Sequence, residues 1–191
     1  MATDSNTPDH TDSADDDPVE RTIRWYDHHA EDYAERTRQT DLSDLRDRFL
    51  EQIPEGGRVL DVGCGGGRDT KAFLERGYEV TAFDASEEMA RLASEYTDQK
   101  VYCRRIQEVE PSVQYDGIWA SASLVHVPVE TLPSVFEQIA GWLRPTGTLC
   151  SSFSTGKRQD STRFFNAVSQ GDVVSLIEAV EMLQVREVWN S

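Results

Sequence analysis

The chain predicts a doubly wound α/β domain, with a mainly parallel sheet and helices on both faces. Three features carry that expectation. Short apolar runs at 58–62, 78–83, 101–104, 117–120 and 147–153 have strand length, and most are separated by stretches with helical periodicity. The first run ends in Asp61 and opens directly into Gly63-Cys64-Gly65-Gly66-Gly67 before a helix begins. Alternating strand and helix implies right-handed crossovers and a ligand site beyond the carboxyl ends of the strands.

Each element has a local reason. Trp25, Tyr26, Ala30 and Tyr33 recur at helical spacing, as do Leu42, Leu45, Phe49 and Ile53 before Pro54, so two helices should precede the first strand. Ser86 can cap a helix that carries Glu87 and Glu88 in its first turn and Met89, Leu92, Ala93 and Tyr96 on one face. Leu132, Val135, Phe136, Ile139 and Leu143 form another, with Pro133 near its start. Val173, Leu176, Ile177 and Val180 predict a last helix, and 184–189 a sixth strand.

At 191 residues the chain has room for one domain with a substantial core. Residues 1–18 hold six aspartates and no lysine or arginine, which predicts a disordered acidic tail ahead of a domain at 19–191. That start has neither a basic region nor an apolar core, and no later run is long enough to span a bilayer, so a cytoplasmic, soluble protein is expected. The formal charge of -16, with only three lysines, argues against nucleic acid or anionic lipid as partner. Cys64, Cys103 and Cys150 are far apart and lack metal-ligand spacing; reduced thiols and no metal are expected.

The glycine loop is the site-bearing segment. A helix start beyond it can attract an anion, and Asp84, closing the second strand, can grip ribose hydroxyls at the same sheet edge. The dinucleotide pattern G-x-G-x-x-G fails in both registers, because Arg68 or Thr70 stands where the third glycine belongs. The phosphate-loop pattern fails as well, since no Gly-Lys-Ser/Thr follows.

Asp61, followed by Gly63, Gly65 and Gly67, resembles the first motif of the class I S-adenosylmethionine-dependent methyltransferases. Gly63–Asp69, Gly77–Asp84 and Tyr115–His126 are similar to small-molecule enzymes of the tellurite-resistance type, with the likeness running from about Tyr26 to Phe165. The resemblance implies a Rossmann-like fold, S-adenosylmethionine as methyl donor and a small-molecule acceptor, including soft atoms such as sulfur, selenium or tellurium. It also implies a seven-stranded sheet. This chain ends after the sixth predicted strand, which leaves truncation, rearrangement or completion by a partner chain, such as a homodimer, open.

By the same resemblance, Asp61 and the backbone at Gly63, Gly65 and Gly67 hold the methionine part of the cofactor. Asp84 holds its ribose; Ala85 or Ser86, with Ile106 and Gln107, enclose its adenine. Ala120 and Ser121 fall where the methyl group would point. Arg68 either pairs with the cofactor carboxylate or is an ordinary surface arginine. His126 is the candidate base, and Tyr26 and Tyr33 the candidate lid, with Tyr33 a candidate catalytic residue beside His126. Each of the three also reads as ordinary packing. Two other functions stay open: a module that binds S-adenosylmethionine or its demethylated product without catalysis, and a nicotinamide oxidoreductase, which Arg68 and Thr70 disfavour.

The dense carboxylates also suggest a protein adapted to high salt. Its melting temperature is expected to rise from dilute to molar KCl; equal values in both would remove that reading.

Overall fold

The computed structural model describes residues 17–154 and 162–189. The acidic tail expected at 1–18 lies almost wholly outside them. Asp17 and Pro18 belong to the domain: Pro18 opens the first helix, and the Asp17 carboxylate accepts from Val19 N at 2.9 Å as its cap.

Three helices precede the sheet where two were expected: α1 (Pro18–His28), α2 (Ala30–Arg38) and α3 (Ser43–Leu50). His29 divides the first pattern; it leaves helical geometry at φ -116°, ψ 18°, and its Nδ1 lies 2.8 Å from the Trp25 carbonyl. The spacing of Trp25, Tyr26 and Tyr33 survives the break, so their rings still meet.

Five parallel strands follow: β1 (Arg58–Val62), β2 (Glu79–Asp84), β3 (Tyr102–Cys103), β4 (Tyr115–Ala120) and β5 (Leu143–Ser151), in the order β3-β2-β1-β4-β5. The order reverses between β1 and β4, and the glycine loop leaves β1 at that switch point. Helices α4 (Arg68–Glu75), α5 (Glu87–Thr97), α6 (Leu132–Trp142) and α7 (Gln170–Glu178) complete the layers.

Strand alternation sorts the core. Leu60, Val62, Ile118 and Ala120 face α6 in one cluster, while Val59 and Trp119 face Phe49 of α3 and Phe73 of α4 in another. Asp61 therefore points, buried, toward the α3–α4 layer. Gly117 in β4 allows close approach there: a β-carbon at that position would stand 2.6 Å from both Ile53 and Phe49 side chains. Along α5, Ala90 and Ala93 lie flat on Ala82 of β2, and Ser86 Oγ accepts from Met89 N at 3.1 Å, the expected cap.

The sixth strand expected at 184–189 does not form; those residues have no regular structure. Most of their side chains are exposed, so Val185, Val188 and Trp189, which lack a period-2 alternation, present no apolar face to the core. The segment is held instead on α3, through Arg48–Glu187 at 2.6 Å and the Arg48 guanidinium 5.0 Å from the Trp189 ring. The helix expected before it does form as α7, with Val173, Leu176 and Ile177 against the α6 core.

Candidate functional site

The loop after β1 is fastened on every side. Gly63 N and Cys64 N both donate to the Phe83 carbonyl at 3.0 Å, which joins the loop's start to the end of β2. Gly63, Gly65 and Gly67 all have positive φ (68°, 54° and 83°), a conformation side chains resist. At Gly66 closeness decides instead, since a β-carbon would lie 2.5 Å from that of Ala34 on α2. Arg38, one turn further along α2, donates to the Gly66 carbonyl at 2.8 and 3.1 Å and to the Leu92 carbonyl of α5 at 3.2 Å.

Asp84 stands beside this loop. One carboxylate oxygen accepts from Gly65 N at 2.8 Å and the other from Ser86 N at 2.9 Å, so the end of β2 clasps both neighbouring turns. Burial pushes its pKa up, the two amides oppose that, and the nearby Asp27 carboxylate adds to it. Asp27, on α1, accepts from Ser86 Oγ at 2.6 Å and from Glu88 N at 3.3 Å. A carboxylate offers about four lone-pair sites, so Asp84 retains capacity for a further donor. In front of Gly65 the space is open: nothing lies within 4 Å of where its β-carbon would be. Beside Gly63, the Ser123 hydroxyl is buried without a hydrogen-bond partner among the described residues. An open loop face, a half-satisfied carboxylate and an orphaned hydroxyl suit a polar ligand.

Behind the loop lie two carboxylates with opposite tendencies. Asp69, in the first turn of α4, accepts from Arg68 at 2.7 and 2.9 Å, Arg46 at 2.8 Å and Trp119 Nε1 at 3.0 Å. Burial would raise its pKa, but these charged donors outweigh burial and hold it low. Asp61 has one neutral donor, Thr70 Oγ at 2.6 Å. Burial first, and then the Asp69 charge, push it up to about 8. Arg68 thus turns onto Asp69 and the Thr37 carbonyl, an arrangement neither sequence reading of it anticipated.

A second group lies at the β4 end. Tyr26 hydroxyl and His126 Nε2 are 2.9 Å apart, and His126 Nδ1 is 2.6 Å from the Phe164 carbonyl. A carbonyl only accepts, so Nδ1 carries a proton; in the neutral ring Nε2 then accepts from Tyr26. Burial, followed by the Tyr33 phenol, raises the Tyr26 pKa and keeps it a donor. The Tyr26 ring is 5.1 Å from Tyr33 and 5.4 Å from His126, whose other side meets Phe165 at 4.6 Å. Tyr33 also neighbours Arg68, linking this group to the loop. Arg163 stands 4.1 Å from the Trp25 ring and 5.1 Å from Phe165.

The structure thereby gathers Asp61, Gly63, Gly65, Gly67, Asp84 and Ser86 around one sheet edge, and Tyr26, Tyr33 and His126 around an adjoining one. Ala85 lies between Asp84 and Ser86. Ala120 is buried in the core, with Ser121 half-buried after it, and Ala122 takes a strained φ of 52° before Ser123. Ile106 is buried in a short turn after β3, whereas Gln107 beside it is exposed. Asp27, Arg38, Ser123 and Arg163 were missed; no motif marks them, because each acquires its role from a contact remote in sequence. Burial, then the Asp61 and Asp84 carboxylates, push the Cys64 thiol well up, which disfavours a reactive thiolate there.

Fold and loop together define an α/β cofactor-binding protein with its site at the switch point of a parallel sheet. Residues 33–184 match the model of the methyltransferase domain family, and the chain belongs to that family. A ubiquinone biosynthesis O-methyltransferase from Dechloromonas aromatica (strain RCB) is 32% identical over 146 residues, covering 72% of this chain and 61% of the relative, so the chain spans less than two thirds of that protein. The fold is similar to Burkholderia thailandensis 1,6-didemethyltoxoflavin-N1-methyltransferase with bound 1,6-didemethyltoxoflavin and S-adenosylhomocysteine (TM-score 0.71, 21% identity, 88% of this chain and 81% of that one). It is also similar to a TehB-like S-adenosylmethionine-dependent methyltransferase from Corynebacterium glutamicum ATCC 13032 (TM-score 0.68, 20% identity, 80% and 83%).

The raised Asp61 makes stability pH-dependent. Unfolded, its carboxyl ionises near pH 4; folded, it keeps its proton to about 8, so the native state binds more protons between those values and stability falls as pH rises through that window. Asp61→Asn is expected to flatten the decline, read from urea midpoints between about pH 5 and pH 8. An unaltered slope would place the proton elsewhere.

Proposed function

We propose that this protein transfers a methyl group from S-adenosylmethionine to a hydroxyl on a small, planar acceptor. The observation that carries the reading is the Asp84 clasp on Gly65 and Ser86, which aims a carboxylate with spare lone pairs at the open face of the glycine loop. The bound donor would supply an activated methyl on a sulfonium. Asp84 would take the ribose hydroxyls; Asp61, the loop backbone and Ser123 would take the polar methionine end, with Ala85, Ser86, Ile106 and Gln107 on the adenine side. Arg68, committed to Asp69, would act by holding the helix start rather than by gripping a ligand.

Alignment of donor and acceptor can supply most of the acceleration, and a base matters when the acceptor carries a proton. His126 suits that role. Its Nδ1–H donates to the Phe164 carbonyl, which fixes the ring and stabilises the imidazolium formed when Nε2 takes a proton. Tyr26 caps Nε2 here and would yield it to the acceptor hydroxyl, while Tyr33 and Phe165 offer ring faces to a planar molecule. The similarity to an O-methyltransferase supports oxygen as the accepting atom over sulfur, selenium or tellurium.

Asp84→Ala is expected to weaken S-adenosylmethionine binding by about 1.5 to 3 kcal/mol, the range for hydrogen bonds to a charged group, measured by calorimetric titration. Unchanged affinity in a folded variant would reject the ribose assignment. His126→Ala is expected to lower kcat for phenolic acceptors by about 10²- to 10⁴-fold with cofactor affinity intact, and to remove the acid limb of the pH–rate profile. Tight cofactor binding with no transfer to phenols, thiols, selenite or tellurite would favour a binding module instead.

A further inference from the structure

A second concavity, of about 450 Å³, opens beside the His126 group. It is bounded by the start of α1 (Asp17, Pro18, Val19), the turn at 128–130 and residues 164–167. Pro18, Val19, Pro128, Val129, Phe164 and Phe165 make it mainly apolar, and its size is that of a small-molecule pocket. Asn166 is a buried polar residue among those that line it. That residue is only 4% exposed, and its Nδ2 donates to the Leu124 and Val127 carbonyls at 2.8 and 2.9 Å. Two carbonyl partners identify this atom as the nitrogen, so the other is an amide oxygen. Oδ1 is buried and has no hydrogen-bond partner among the described residues.

Charge and continuity narrow what could fit. Asp17 and Glu130 stand among the lining residues and repel an anion. The wall segment also holds the candidate base: the Phe164 carbonyl accepts from His126 Nδ1, and the Phe165 ring packs on the imidazole. Val19, in the wall, and Tyr26, on Nε2, are seven residues apart on α1, a separation of about 10 Å at 1.5 Å per residue.

Resting on the methyl-transfer reading, we propose that this concavity is a distal acceptor subsite. It would take a neutral, mainly apolar arm of the methyl acceptor, bearing one N–H or O–H donor for Asn166 Oδ1; the outer wall at Val19 lies about 10 Å along α1 from Tyr26. The arm selects among acceptors; His126 and Tyr26 act on the ring hydroxyl at the other end.

The test uses the full chain with S-adenosylhomocysteine and four probes: catechol, 4-hexylcatechol, 4-(6-hydroxyhexyl)catechol and the matching carboxylate. Binding is followed by calorimetry, and transfer by incorporation of labelled methyl from S-adenosylmethionine, which replaces S-adenosylhomocysteine in that assay. The hydroxyhexyl compound is expected to bind about tenfold tighter than catechol, the hexyl compound between them and the carboxylate weakest. Val129→Trp, which fills the concavity from an exposed position, should abolish the advantage of the arms and leave catechol unchanged. Asn166→Leu, which keeps the approximate volume and removes the Oδ1 acceptor, should weaken the hydroxyhexyl compound more than the hexyl one. Equal affinity of all four probes, or arms insensitive to Val129→Trp, would overturn the subsite. Arm-dependent binding without methyl transfer would retain the subsite and reject the catalytic reading instead.

Discussion

Asp69 is the contact on which the site's geometry depends. A loop with four glycines in five residues has almost no side chains with which to hold itself, and each glycine carries extra entropy into the unfolded state. Its shape must come from its flanks. Asp69 secures the exit by joining the first turn of α4 to α3 through Arg46 and to β4 through the Trp119 indole. The entry is secured by the Phe83 carbonyl, and the middle by Asp84 from below and Arg38 from above. A buried charge cluster of this kind adds little net stability over an apolar one, but removing one partner strands the others. Its effect here is directional, because three elements, α3, α4 and β4, can meet at one carboxylate in only one arrangement.

The same cluster sets the charge state beside the loop. Asp61 and Asp69 are both buried and interact, yet they are pushed apart in pKa because the arginines serve only one of them. Asp69 takes the guanidinium partners and stays ionised, and its charge then helps keep Asp61 protonated. A neutral Asp61 is a tolerable neighbour for the Asp84 carboxylate.

The N-terminal helices contribute to both halves of the site. From α1, Asp27 caps α5 beside Asp84 while Tyr26, one residue away, reaches His126. From α2, Ala34 and Arg38 lie on the loop, Tyr33 packs on Tyr26, and the Thr37 carbonyl accepts from Arg68. The glycine-loop side and the His126 side are therefore braced by the same two helices, so displacement of either helix would be felt at both.

The sequence alone determined the parallel sheet, the loop at its carboxyl edge, Asp84 at the neighbouring strand end and the Ser86 cap, because periodicity, glycine spacing and caps are local properties that tertiary contacts seldom reverse. It could also propose His126 as the base, from its position after the fourth strand. Tertiary structure decided the rest. The segment at 184–189 met no core face and stayed irregular. Arg68 found a carboxylate next to it in sequence, but one made available by Arg46 and Trp119 converging from elsewhere. Asp27, Arg38, Ser123 and Asn166 are ordinary polar residues until folding sets them against a cap, a carbonyl, a glycine or a buried wall. Pattern specifies which elements form; the partners of a buried polar group depend on which distant segments the fold brings within about 3 Å of it.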